Sequence, residues 1–148
     1  MGEVRLEVRS VRQFMASPVT SLPSTARLLD AGLLLRAGRI RHIPIIDDGE
    51  LIGILSDRDI QRCTPSLLTR VSAEEYNAIF EDTPVAKVMT RNPQHISPDE
   101  PLHAAAELLQ SQKLGCLPVV ENGKVVGIIT KDDMLGALMR LLVETPAK

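Results

Sequence analysis

Aromatic residues are nearly missing from this chain: one Tyr, two Phe and no Trp among 148 residues. Single-stranded nucleic-acid binders use aromatic side chains as stacking platforms, so that mode of binding has little material here. Basic charge is not in excess either. Lys and Arg number 17 against 19 Asp and Glu, for a net charge of −2. No global field therefore draws the chain onto nucleic acid or an anionic membrane. No apolar run approaches the roughly 18 residues that a membrane span requires. The opening Met1-Gly2-Glu3-Val4-Arg5-Leu6 lacks the apolar stretch of a signal peptide. Gly2 is not followed by Ser or Thr at position 6, which argues against myristoylation. The two cysteines, Cys63 and Cys116, form no C-x-x-C pair. They read as reduced thiols, and a cytoplasmic location is the expectation.

Catalytic signatures are missing as well. There is no G-x-S-x-G elbow, no phosphate-binding Walker loop, no G-x-G-x-x-G and no H-E-x-x-H. The histidines His42, His95 and His103 are scattered, and no Cys/His cluster has zinc spacing. The expectation is a binding protein rather than an enzyme, with no catalytic residue and no metal site.

What the chain does have is an internal repeat. Residues 42–56, H-I-P-I-I-D-D-G-E-L-I-G-I-L-S, stand over residues 116–130, C-L-P-V-V-E-N-G-K-V-V-G-I-I-T. The offset is constant: Pro44 and Pro118 lie 74 residues apart, and so do Asp59 and Asp133. With small gaps the match extends upstream, Met15 to Met89, Pro18 to Pro93 and Pro23 to Pro98. Each copy reads as a short helical turn ending at Met15 or Met89, an extended stretch, a helix, a hairpin and a final helix. Leu102, Ala105, Ala106 and Leu109 form one apolar helix face, and Leu28, Ala31 and Leu35 form its counterpart. Asp48-Gly49 and Asn122-Gly123 are preferred pairs for a type I′ hairpin turn, where both central residues need positive φ. Between the copies, Ser72 with Glu75 marks a further helix start. Tyr76 and Phe80 lie on one face of that helix, which either packs on the protein's own core or contacts a second subunit. Only Thr145 to Lys148 reads as a free tail.

Ser56-x-x-Asp59 and Thr130-x-x-Asp133 admit two readings. Each can be a helix cap and nothing more, with the hydroxyl accepting the N3 amide and the acid complementing the helix dipole. The same geometry leaves free amides and positive partial charge at a helix start, which suits a phosphate. Basic residues favour the first copy. Arg39, Arg41, His42 and Arg58 face Lys113, Gly115, Cys116 and Asp132 in the second, and guanidinium groups bind phosphate in a bidentate manner.

The hairpin I-P-I-I-D-D-G-E-L-I-G-I-L-S-D-R-D, repeated as L-P-V-V-E-N-G-K-V-V-G-I-I-T-K-D-D and preceded by V-R-Q-F-M and V-A-K-V-M-T, resembles the cystathionine-β-synthase (CBS) domain. The insert with its own helix resembles stand-alone bacterial CBS-pair proteins, including those of acetoin utilisation. The resemblance implies an α/β fold of two CBS repeats, each a β-α-β-β-α unit, packed with pseudo-twofold symmetry into one Bateman module. Repeat one would span residues 11–62, a linker with a short helix 63–84, and repeat two 85–143. Two clefts between the repeats would take AMP, ADP, ATP or S-adenosylmethionine as a regulatory ligand, with no tightly bound cofactor. On this pattern Ser56 and Asp59, and Thr130 and Asp133, would contact ribose and phosphate. Thr20 and Leu22, and His95 and Ile96, would flank the adenine, with Arg41, His42, Arg58 and Cys116 completing the sites. His95 stands where the family usually has a small hydroxyl. The implied partners are a regulated protein and a second copy of the chain, with no nucleic acid and no membrane. The alternative is a structural dimerisation module that holds no ligand.

Overall fold

The computed structural model describes residues 9–38, 40–64 and 71–144. The opening residues before Arg9, Arg39 and the Thr145–Lys148 tail lie outside the described residues. The elements run α1 Val11–Phe14, α2 Leu28–Ala37, β1 His42–Asp47, β2 Glu50–Ser56, α3 Asp57–Cys63, α4 Ala73–Asp82, β3 Thr90–Arg91, α5 Leu102–Ser111, β4 Cys116–Glu121, β5 Lys124–Thr130 and α6 Lys131–Glu144. A single 3₁₀ turn, Val85–Lys87, precedes β3.

Both hairpins form at the expected turns. Asp48 and Gly49 have φ of 52° and 81°, and Asn122 and Gly123 have 51° and 78°, as the right-handed twist of flanking strands requires. β1 pairs antiparallel with β2, and β4 with β5, in the same register. Each pair also carries an irregularity at the same place, between Ile45 and Ile46 and between Val119 and Val120. A bulge of this kind adds one residue to one strand, and apolar alternation alone does not reveal it.

The chain separates into two compact units, and their boundaries do not follow the repeat in simple order. One unit joins the chain up to Val19 to everything from Gln94 onward, and the other is Thr20–Pro93. In the Thr20–Pro93 unit, Leu22 makes a parallel bridge to Ile45 on the outer side of β1, and β3 lies on the outer side of β2. In the other unit Ile96 bridges Val119 in parallel, and Ala16 bridges Ile128. The two units thus share one plan. Each takes its last edge from the segment that precedes the other repeat.

The cores follow the same exchange. α2 buries Leu28 and Ala31 against Ile43, Ile45 and Leu55, together with Val85 and Met89. α5 buries Leu102, Ala105 and Leu109 against Leu117, Val119 and Ile129, together with Val11. Fully burying a valine stabilises by about 1.5–3 kcal/mol, so each borrowed segment is anchored by real apolar contact. The strand glycines serve this anchoring. A Cβ on Gly53 would come within 2.9 Å of Met89 Cγ, and one on Gly127 within 2.9 Å of Met15 Cγ.

Ser72 caps α4 by accepting from the Glu75 amide at 3.1 Å. Ile79 and Phe80 pack on the core of their own unit, with the Tyr76 ring tilted against Phe80 at 5.4 Å between centroids. Of the two readings open for this aromatic pair, own-core packing describes Phe80, while Tyr76 stays 40% exposed. No helix among the described residues is long and apolar enough to cross a membrane.

Candidate functional site

Each hairpin's second strand runs straight into a helix, and the junction is a capping box. Ser56 keeps extended backbone at φ −108°, and its Oγ accepts from the Asp59 amide at 3.1 Å. Asp59 Oδ2 accepts from the Ser56 amide at 2.9 Å and from Ser56 Oγ at 2.9 Å. The second copy repeats this arrangement. Thr130 Oγ1 accepts from the Asp133 amide at 3.2 Å, and Asp133 Oδ2 accepts from the Thr130 amide at 2.8 Å and from Thr130 Oγ1 at 3.0 Å. Both acids are half-buried. In each, Oδ2 serves the cap, while Oδ1 accepts no hydrogen bond among the described residues. The cap reading is therefore physically realised, and one carboxylate oxygen per site remains open for a hydroxyl donor.

The start of the first strand is held against the same cap. His42 pairs with Ser56 across β1–β2, and the Asp57 amide donates to Arg41 O at 3.2 Å. In the second unit Cys116 pairs with Thr130, and the Lys131 amide donates to Gly115 O at 3.2 Å. Arg41 and Arg58 are exposed and form no ion pair among the described residues. Their places in the second unit belong to Gly115 and Asp132. Gly115 stands at Arg41's place, but Asp57-Arg58 is answered by Lys131-Asp132, so these two positions of each helix carry one acidic and one basic residue. Arg39 lies outside the described residues. Cys116 is buried, and burial pushes its thiol up to about 12. At neutral pH it is a small apolar wall and not a nucleophile.

The edge strands bring in the remaining expected residues. The Leu22 amide donates to Pro44 O at 3.2 Å, and the Ile46 amide donates to Leu22 O at 2.9 Å. The Ile96 amide donates to Pro118 O at 3.0 Å, and the Val120 amide donates to Ile96 O at 2.9 Å. Because both bridges are parallel, the residues before Leu22 and Ile96 run toward the cap end of the sheet. Thr20 lies two residues before the Leu22–Ile45 bridge, on that side of it. The bridges make Leu22 equivalent to Ile96 and Ser21 equivalent to His95, so Thr20 corresponds to Gln94 in the repeat register. The exposed His95 lines a 690 Å³ groove with Ser97, Glu107, Leu108 and Asn122, and none of Cys116, Thr130 and Asp133 lines that groove. Sequence reasoning missed two features here. The carbonyls of Arg41 and Gly115 tie the caps, and main-chain acceptors leave no residue-type signal. The His95 groove joins residues from a loop, a helix and a turn that no motif connects. Among the described residues, no three His, Cys, Asp or Glu side chains converge as a metal site.

Comparison with known proteins identifies the family and the fold. The profile of the CBS domain matches twice, at residues 11–64 and 85–140. A CBS domain-containing protein of Dictyostelium discoideum is 30% identical over 138 residues, covering 92% of this chain and 95% of that protein. The protein CBSCBSPB1 of Arabidopsis thaliana is 33% identical over 122 residues, but this chain spans only 21% of its length. Among solved structures, the CBS-pair protein CBSX2 from Arabidopsis thaliana superposes with a TM-score of 0.78 at 26% identity, covering 93% of this chain and 99% of that one. CBSX2 in complex with AMP gives 0.76 at 28% identity, covering 90% and 98%. The CBS domain pair of protein MJ0100, in complex with 5′-methylthioadenosine and S-adenosyl-L-methionine, gives 0.72 at 26% identity, covering 89% and 97%.

Proposed function

This chain belongs to the CBS-domain family as a tandem pair, and from that premise we propose that it binds adenosine-type nucleotides at its two capped helix starts and uses their occupancy to regulate a partner protein. The observation that carries the reading is the twin cap. Ser56–Asp59 and Thr130–Asp133 have the same bonds within about 0.1 Å, and each leaves Oδ1 without a donor among the described residues. A carboxylate oxygen accepting a ribose hydroxyl makes a charge-assisted hydrogen bond, the stronger kind. Of the first-turn amides, those of Arg58 and Asp132 are left for a phosphate oxygen, because Asp57 and Lys131 donate to the Arg41 and Gly115 carbonyls and Asp59 and Asp133 to the cap hydroxyls. The AMP carried by CBSX2 and the 5′-methylthioadenosine and S-adenosyl-L-methionine carried by MJ0100 support an adenosine ligand. In this reading the role is regulatory and not catalytic, Leu22 and Ile96 wall the adenine, Thr20 and Cys116 border the sites, and His95 stays with its own groove away from the cap.

Arg41 and Arg58 give the first site two exposed cations, against Lys131 alone at the second helix start. The first site should hold ATP at least as well as AMP, while the second should favour ligands with little charge. Calorimetry of the full chain with AMP, ATP and S-adenosylmethionine, and with GMP as control, tests the reading. Binding of an adenosine ligand, with Arg58→Ala weakening ATP more than AMP, supports it. No heat from any adenosine ligand, or equal response to GMP, contradicts it.

A second reading has its own observation. On α6, Leu135 is 58%, Leu138 50% and Leu142 71% exposed. Apolar faces of this kind mark interaction sites, and this one fits a homodimer.

A further inference from the structure

The two borrowed segments sit in seats made of the same backbone bonds. The Val11 amide donates to Glu100 O at 2.9 Å, and the Leu102 amide to Arg9 O at 2.7 Å. In the other unit the Val85 amide donates to Ala26 O at 2.8 Å, and the Leu28 amide to Thr83 O at 3.0 Å. Every one of these pairs is related by the 74-residue offset. Met15 covers Gly127 just as Met89 covers Gly53. Main chain and methionine therefore give no reason for the N-terminal segment to choose the second repeat's seat over the first's.

The unexchanged arrangement is also within reach of the chain. Within a unit the strand order is the Leu22 edge, β1, β2 and the outer edge that β3 occupies. Crossing three strand spacings takes about 14 Å. The six residue steps from Ala16 to Leu22 extend to roughly 20 Å. The choice of seat is thus a difference in affinity between two similar sites.

Side chains supply the difference. Arg12 pairs with Asp99 at 3.3 Å and with Glu121. The residue at its place on the other segment is Ala86. In the other seat, Thr25 replaces Asp99 and Asp47 replaces Glu121. Asp47 is already engaged, with Oδ1 accepting from the Ser24 amide at 3.0 Å and Oδ2 from Ser24 Oγ at 2.6 Å. Phe14 lies under the Arg140 guanidinium, 5.3 Å from the ring centroid, where the other segment has Val88. We propose that Arg12, acting on Asp99 and Glu121, is a docking key: it directs the N-terminal segment onto the second repeat and so makes the chain fold with its segments exchanged.

This inference is independent of any ligand. An isolated exposed ion pair contributes little to stability, yet a modest preference, to which the Phe14–Arg140 contact adds, decides between seats matched in main chain and methionine. Methyl NMR of the full chain, labelled at methionine, reads the choice directly. In the wild type the Met15 methyl should show contacts to Gly127 alone. Moving the key, with Arg12→Ala and Ala86→Arg together, should raise a second Met15 signal contacting Gly53 to a tenth of molecules or more. Arg12→Glu poses the same question if the double variant does not fold, and adding Glu121→Arg to it should restore a single signal. One Met15 signal contacting only Gly127 in Arg12→Glu overturns the proposal.

Discussion

Close approach at single residues explains why a glycine stands in the middle of each second hairpin strand. Gly127 lies beneath Met15, and a Cβ there would also stand 3.0 Å from the Ala16 carbonyl oxygen. The methionine is flexible, but the backbone oxygen is fixed by the Ala16–Ile128 bridge. Overpacking of this kind typically costs about 1–3 kcal/mol. Gly127→Ala should therefore lower the urea midpoint by a corresponding amount, as should Gly53→Ala. An unchanged midpoint in both would show that the methionine seats are loose. The sequence made both glycines visible as a matched pair. It did not say what covers them, because each covering methionine comes from the leading segment of the other repeat.

Among the elements, the hairpins and caps were legible in advance because each rests on local chemistry. Asp48-Gly49 and Asn122-Gly123 specify a turn, and Ser56 and Thr130 with their third-position acids specify a helix start. The exchanged edge was not legible. A segment that matches two seats equally in backbone pattern carries no local signal of which it takes. The loop around β1 adds a pH response. Ser24 donates twice to the Asp47 carboxylate and holds it below its ordinary value of 3.8. The folded-state pKa is thus the lower one, so the stabilisation is fully present above about pH 4 and disappears as pH falls through the depressed value. Urea midpoints of wild type and Asp47→Asn should differ at neutral pH and converge in acid. A difference that grows on acidification would reverse the sign and contradict the assignment.

For the whole molecule, the two caps give one binding proposal and the exposed α6 face gives a self-association proposal. Leu138 and Leu142 lie on that face at one-turn spacing, and replacing both with Glu should abolish any dimer without moving the caps. Sedimentation at micromolar concentration should find wild type dimeric and the variant monomeric. A monomeric wild type would leave the face to another partner and remove the homodimer. Nucleotide binding at the caps is read by calorimetry of AMP with wild type, Asp59→Ala and Asp133→Ala. Losing a hydrogen bond to a charged group costs about 1.5–3 kcal/mol, roughly 10- to 150-fold in affinity. Wild type should bind AMP, and at least one variant should lose affinity by that factor. AMP affinity equal to wild type in both variants would contradict it.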